Sequence, residues 1–326
     1  MRELSLSEIR NLSTSELVDG LRKQEYSLLQ SLGFRKLRAE MNFTGLICRM
    51  IITLTGLRKE FKSSPNGVKL NSRARKRTER LLHFAAPARI NGEFPTPASG
   101  MVVGFNHPSL GEILRFIYIC MTVYRDKRNL FPVNLPWYEA LMPIVGELET
   151  LGIYIMPVIT PSTRDKMARV AGDETMEVVF RLSSAMNTLY LSKCAEFIKN
   201  QDNIWLAPSA TRRRFVFDTR ACVNGEEEIK PQTMTLLAIQ LKRSGVTECD
   251  FLPVGVSPCF NFRRGLNLFR RYTLIPSDII PFDEVVDLAR ERYSDCGGSR
   301  LEHDFRIKIA SRLVQVGKIE LVCPFS

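Results

Sequence analysis

One short loop combines a histidine and a carboxylate in a setting that suits acid–base chemistry. His107 lies in the loop 106–110, directly after the apolar run 101–105, and Glu112 follows at the start of a predicted helix. Held together at the end of a strand, the carboxylate fixes the tautomer of the imidazole while the other ring nitrogen takes a proton from a nucleophile. The loop therefore predicts His107 as a general base and Glu112 as its orienting partner. The alternative is a histidine that caps the helix or binds a backbone carbonyl.

A second loop presents basic side chains after another apolar run. Arg212, Arg213 and Arg214 are consecutive. In an extended chain, the first and third point to one face and the second to the other. Two guanidiniums on one face offer paired donors to a phosphate monoester. This predicts a phosphate site formed by Arg212 and Arg214, with Ser209 and Thr211 as further contacts. The alternative is that the arginines only face solvent.

Both loops belong to a region in which short apolar runs alternate with helical patterns. The predicted strands are 101–105, 152–159, 203–207 and 251–256, and the predicted helices are 112–124, 174–200 and 231–243. This alternation predicts an α/β fold with a mostly parallel central sheet flanked by helices. In such sheets, functional groups gather at the carboxyl ends of the strands, which is where both loops lie.

The first 83 residues follow a different pattern. Ser5 with Glu8, and Ser13 with Glu16, each fit the S-x-x-E capping box, and leucines then recur at helical spacing. We therefore expect a small N-terminal helical domain over residues 1–83, followed by an α/β domain over residues 84–326.

Positive charge is the clearest feature of the composition. The net charge of +11 and the pI of about 9.4 suit an anionic partner such as membrane phospholipid, an acidic carrier protein or a phosphorylated metabolite. The basic run 73–80 is a candidate for contacting phosphate head groups, and a solvated helix face is the simpler alternative. The charge alone would also suit nucleic acid, but no helix-turn-helix, zinc-finger or RNP pattern is present, so we expect no nucleic-acid partner.

The apolar runs and the cysteines argue against a membrane-spanning, a metal-binding or a disulfide-bonded protein. The longest apolar stretch, 43–57, is interrupted by Arg49, so we expect a buried or an interfacial helix rather than a membrane span, with burial the simpler alternative. The eight cysteines show no C-x-x-C spacing and there are three histidines, so we expect no metal site. The N-terminal residues do not read as a secretory signal, and reduced thiols are expected.

Three motifs follow one another along the chain. They are Asn106-His107-Pro108-Ser109, then Ala207-Pro208-Ser209 ahead of the arginines, then Leu252-Pro253-Val254. In that order they resemble the glycerolipid acyltransferase superfamily. The second motif, with its arginines, is most similar to the soluble plastid-type glycerol-3-phosphate acyltransferases, which also carry a helical N-terminal domain.

The resemblance implies an acyl-transfer reaction without a cofactor. His107 would deprotonate the hydroxyl of glycerol-3-phosphate, which attacks the acyl thioester of acyl carrier protein or coenzyme A, while Arg212 and Arg214 hold the phosphate. The product would be lysophosphatidate for phospholipid synthesis. No acyl-enzyme is implied, and neither G-x-S-x-G nor S-x-x-K occurs. The resemblance also implies a protein of the cytoplasm or plastid stroma that acts at an anionic membrane surface.

The sequence departs from this family at three places. Glu112 replaces an Asp, Ser209-Ala210-Thr211 replaces Glu-Gly-Thr or Ser-Gly-Gly, and Pro157 stands where a basic residue is usual. Arg164 and Lys166, a little downstream, are candidates for the missing phosphate contact. These departures bear on the acceptor more than on the reaction. The alternatives are therefore a lysophosphatidate or other lysolipid acceptor, or a non-catalytic relative that binds lipid.

Overall fold

The structure is a computed structural model of the 326-residue chain. It describes residues 2–3, 8, 11–22, 26–27, 50, 53–56, 72–105, 111–160, 164, 173–207, 233–257 and 272–287.

Helices and strands alternate along the described part of the chain. The helices are α1 (Thr14–Arg22), α2 (Ser72–Ala85), α3 (Gly111–Thr122), α4 (Leu135–Leu141), α5 (Val145–Thr150), α6 (Asp173–Lys199) and α7 (Thr233–Arg243), with a 3-10 turn at Met142–Ile144. The strands are β1 (Arg2–Glu3), β2 (Tyr26–Ser27), β3 (Ala88–Ile90), β4 (Met101–Phe105), β5 (Asn129–Asn134), β6 (Ile153–Val158), β7 (Asn203–Leu206), β8 (Asp250–Ser257), β9 (Tyr272–Pro276) and β10 (Ile280–Pro281).

The main sheet has eight strands and is mostly parallel. Its order is β3-β9-β8-β4-β7-β5-β6, and β10 pairs with β8. The strands β8, β4, β7 and β5 are consecutive parallel neighbours, whereas β9 and β10 run antiparallel to β8. The predicted α/β class, with a mostly parallel sheet flanked by helices, is confirmed.

Apolar side chains explain why these segments became strands. All five residues of β4 and all four of β7 are buried, as expected for strands of a parallel sheet whose two faces are both covered. The four strands predicted from the sequence correspond to β4, β6, β7 and β8, and the three predicted helices correspond to α3, α6 and α7.

A polar network fastens the amino-terminal ends of the central strands. The Asn129 side-chain oxygen accepts hydrogen bonds from Nε1 of Trp205 at 2.9 Å and from Nδ2 of Asn203 at 3.2 Å. Arg128 binds the Asp202 carboxylate through its backbone amide at 2.8 Å and its side chain at 2.6 Å. Because Asn129, Asn203 and Trp205 are fully buried, each bond among them left unmade would cost about 1–3 kcal/mol.

A second set of contacts fixes the start of β4. Lys127 Nζ donates to the carbonyl oxygens of Pro97 and Ser99 at 2.8 and 2.7 Å, and the Ser99 hydroxyl donates to Asp250 at 2.8 Å. Partial burial lowers the pKa of Lys127 against the opposing effect of nearby carboxylates. Gly100 comes so close to the end of α6 that a Cβ there would lie 2.8 Å from the Ile198 carbonyl oxygen. The end of the sheet opposite to the predicted chemistry is therefore rigidly held.

The capping box predicted for the first helix is present. The Ser13 backbone amide and hydroxyl donate to Oε2 of Glu16 at 2.7 and 2.6 Å, and the Glu16 amide donates to the Ser13 hydroxyl at 3.2 Å. These bonds hold the pKa of Glu16 below its ordinary value. They also satisfy amides that the start of α1 would leave without partners.

Contacts between Cα atoms divide the chain into two compact units. One contains residues 1–78 and 131–193, and the other contains residues 79–130 and 194–326. The predicted loops that carry His107 and the arginines both belong to the second unit. Most of residues 1–71 lie outside the described residues, so the N-terminal helical domain and its boundary at residue 83 stay predictions.

Candidate functional site

Two adjacent strands bring the predicted chemical loops to one edge of the sheet. β4 and β7 are parallel neighbours, and Gly104 of β4 is level with Leu206 of β7. Strands in a sheet lie about 4.8 Å apart. The loop that carries His107 therefore leaves the sheet beside the chain that leads to the arginines. On the other side of β4, Phe105 is level with Val254 of β8.

The described residues include only part of the predicted site. His107, Ser209, Thr211, Arg212, Arg214 and Lys166 lie outside them, as does the side chain of Glu112. The backbone of Glu112 is described and belongs to the first turn of α3. The roles assigned to these side chains therefore stay predictions.

Aromatic packing fixes α3 against the two strands that carry the site. Phe116 is fully buried, and its ring centroid lies 4.4 Å from that of Phe105 and 5.2 Å from that of Trp205. A helix packed in this way directs its first turn to the carboxyl ends of β4 and β7, because only five residues connect β4 to Gly111. Glu112 is thus placed near the edge where His107 was predicted.

A fully buried arginine lies one turn farther along α3. Arg115 donates from Nε to the Pro87 carbonyl oxygen at 3.2 Å, and its guanidinium carbon lies 4.0 Å from the centroid of the Tyr272 ring. The backbone amide of Tyr272 also donates to Pro87, at 3.3 Å. Tyr272 stands at the carboxyl edge of the sheet, since the next residue of β9 pairs with Ser257, the last of β8. Arg115 therefore fixes the start of α3 to this edge.

Sequence reasoning missed Arg115, although the sequence contains a signal for it. It is the one basic residue within the apolar helix Gly111–Thr122. Burying a guanidinium costs several kcal/mol unless hydrogen bonds and aromatic faces replace the lost water. Because an arginine is almost never fully buried unless it is paired, its place in this apolar helix indicates specific partners in the fold. Arg115 and Glu112 are also three residues apart, a spacing that puts their Cβ atoms on one face of the helix.

Arg164, a candidate additional phosphate contact, belongs to the other unit. Its backbone amide donates to the Thr160 carbonyl oxygen at 2.9 Å, and its guanidinium carbon lies 4.7 Å from the centroid of the Phe180 ring. This cation–π contact occupies one face of the guanidinium. The phosphate contact of Arg164 stays a prediction.

Three of the cysteines are buried thiols that form no disulfide. They are Cys120, Cys194 and Cys249. Burial raises the pKa of the Cys120 and Cys249 thiols well above the ordinary value. Because the thiolate is the reactive form, these two thiols are poor nucleophiles at neutral pH.

The described ranges contain neither a candidate metal site nor a membrane-spanning helix. Among these residues, no three or more His, Cys, Asp or Glu side chains are grouped so as to hold a metal ion. None of the helices in the described segments is long and apolar enough to cross a membrane.

A scan of protein-family models finds no match for this chain, and a search of curated protein sequences finds none either. Function is therefore inferred from the residues themselves and from the strands that position them.

Proposed function

We propose that this protein is an acyltransferase. It moves a fatty-acyl group from an acyl thioester, on acyl carrier protein or coenzyme A, to the hydroxyl of glycerol-3-phosphate, and releases lysophosphatidate. The proposal includes a helical domain over residues 1–83 ahead of an α/β domain over residues 84–326. The observation that carries it is the parallel pairing of β4 and β7, whose carboxyl ends precede the histidine loop and the arginine loop.

In this mechanism His107 acts as the general base. Its imidazole takes the proton of the acceptor hydroxyl as that oxygen attacks the thioester carbonyl carbon. The carbon–sulfur bond then breaks, and the imidazolium returns its proton to the departing thiolate, which releases the thiol and regenerates the base. Glu112 holds the imidazole in the tautomer that accepts the proton and stabilises the imidazolium. Arg115 acts through α3, because it holds the helix turn on which Glu112 stands.

In the same proposal, Arg212 and Arg214 hold the acceptor phosphate, with Ser209 and Thr211 as additional donors. Placing both groups on loops from neighbouring strands suits a small acceptor that carries its hydroxyl and its phosphate only a few bonds apart. A lysophosphatidate or other lysolipid acceptor, and a non-catalytic lipid-binding protein, are the alternatives to this assignment.

Substitutions at the predicted phosphate site are expected to affect the KM for one substrate and not for the other. Arg212→Ala or Arg214→Ala raises the KM for glycerol-3-phosphate roughly ten- to a hundredfold and leaves the KM for the acyl thioester nearly unchanged. Each substitution removes a charge-assisted hydrogen bond worth about 1.5–3 kcal/mol, and 1.4 kcal/mol corresponds to a factor of ten. Steady-state kinetics with one substrate varied at a time measures both constants.

Arg213→Ala is the matched control, because an extended chain points Arg213 to the opposite face. It removes the same charge and is expected to change neither KM by more than a small factor. Equal effects of all three substitutions would indicate a general electrostatic role, and a rise in the thioester KM alone would mean that this loop binds the donor.

A further inference from the structure

The helix α2 presents a continuous row of basic side chains to the outside of the protein. Arg73, Arg77 and Arg80 are exposed and recur at intervals of four and three residues, the spacing of one helix face. Lys76 is exposed beside them. Within the helix, the arginines and the lysine together number five and Glu79 is the single acidic residue.

The opposite face of α2 explains why this row is fixed in place. Ala74, Thr78 and Leu82 are buried, again at intervals of four residues. The Thr78 hydroxyl donates to the Ala74 carbonyl oxygen at 2.9 Å and so needs no other partner in this buried position. The basic row cannot turn inward without exposing these three residues.

A large apolar side chain extends the basic row. Phe84 continues it after Arg80 at the next four-residue step and is 78% exposed. The charged row and the ring therefore lie on one face of a single helix.

The row has an electrostatic cost that an anionic partner would remove. Arg73 and Arg77, like Lys76 and Arg80, are like charges four residues apart, a spacing that destabilises an isolated helix. Negative charge placed over the row would turn this repulsion into attraction.

We propose that this face of α2, formed by Arg73, Lys76, Arg77, Arg80 and Phe84, docks the protein on an anionic phospholipid membrane. The arginines and the lysine contact the head groups, and the Phe84 ring enters the boundary with the acyl chains, as in interfacial helices. The proposal does not depend on the acyl-transfer reaction.

Vesicle co-sedimentation of the full chain tests the basic part of the surface. Binding to vesicles of phosphatidylcholine mixed with phosphatidylglycerol is measured for the wild type, the Arg77→Gln/Arg80→Gln double variant and an Arg125→Gln/Arg243→Gln control. The control residues are exposed on other elements and remove the same charge. The first variant is expected to bind roughly thirtyfold more weakly, about fivefold for each charge near the membrane surface. The control is expected to bind like the wild type.

Phe84 tests the apolar part in the same measurement. Phe84→Ala is expected to weaken binding roughly tenfold, with Phe84→Leu restoring most of it, because the side chain enters the membrane boundary. Added salt should weaken wild-type binding through screening while leaving the ratio between Phe84→Ala and wild type nearly constant.

Three results would overturn the proposal. Equal loss in the α2 double variant and the control would mean that net charge alone directs binding. Equal binding to pure phosphatidylcholine vesicles would remove the role of the anionic head groups. Tighter binding to a single-stranded RNA oligonucleotide than to the vesicles, lost in the same α2 variant, would make this a nucleic-acid surface instead.

Discussion

Replacing His107 with alanine is expected to lower turnover by at least roughly 10²-fold while the melting temperature stays close to that of the wild type. A positioned general base contributes about 10²–10⁴ to the rate of a proton-transfer step, and alanine has no group that can accept the proton. Initial rates of thiol release from the acyl thioester, at saturating glycerol-3-phosphate, measure the effect.

His83→Ala is the matched control for this experiment. His83 is exposed on α2, and its ring centroid lies 5.7 Å from that of Tyr118, so its removal costs a surface contact and no chemistry. We expect its turnover to match the wild type. A His107→Ala protein that folds normally and turns over at the wild-type rate would remove the proposed mechanism.

Glu112→Gln is expected to reduce turnover by at least roughly 10²-fold, and Glu112→Asp by less. An amide cannot stabilise the imidazolium by charge, and replacing the orienting carboxylate by an amide in serine-protease triads costs about 10⁴-fold. Aspartate keeps the charge on a shorter arm, and a catalytic group misplaced by an ångström loses about a hundredfold. The turnover of the glutamine variant therefore measures the effect of losing the charge, and the turnover of the aspartate variant measures the effect of shortening the side chain.

The melting temperatures of both variants separate this role from a structural one. If Glu112 only complements the start of α3, the glutamine variant loses a few tenths of a kcal/mol in stability and keeps its turnover. Glu93→Gln, an exposed glutamate of the same unit, controls for the loss of one negative charge. Full turnover in Glu112→Gln would leave His107 without its predicted orienting partner.

The central strands could be predicted because their burial is visible in the sequence itself. β4 and β7 are short, largely apolar runs between polar segments, and burial on both faces of a parallel sheet favours that composition. Long helices such as α6 show their periodicity over many turns. The order of these elements was enough to predict the class of fold, whereas the chemistry at the carboxyl edge of the sheet stays a prediction.

Strands whose identity depends on distant partners could not be predicted in this way. β5 contains Pro132, which argues against a central strand. The structure pairs it with β7 through Asn129 and Leu130, ahead of that proline. The short strand β3 likewise gains its backbone hydrogen bonds from β9, across more than 180 residues of chain.

The supporting residues of the site escaped prediction for the same reason. The sequence marks Arg115 as a lone basic residue in an apolar helix, but its partners Pro87 and Tyr272 are brought to it only by β3 and β9. The hydrogen bond between Trp205 and Asn129 joins residues 76 positions apart. Neither residue type indicates from the sequence which partner it will bind. Sequence patterns reveal groups with chemical function, whereas the contacts that position them arise from tertiary packing.

An acceptor panel with a single acyl thioester tests the central claim most directly. The wild-type protein is incubated in parallel with glycerol-3-phosphate, lysophosphatidate and lysophosphatidylcholine, and the acylated products are identified by mass spectrometry. The account predicts that glycerol-3-phosphate is converted to lysophosphatidate with the highest kcat/KM, and that this product is lost in His107→Ala. Preferential acylation of a lysolipid would contradict the assigned acceptor, and no acylated product from any of the three would contradict the acyltransferase itself.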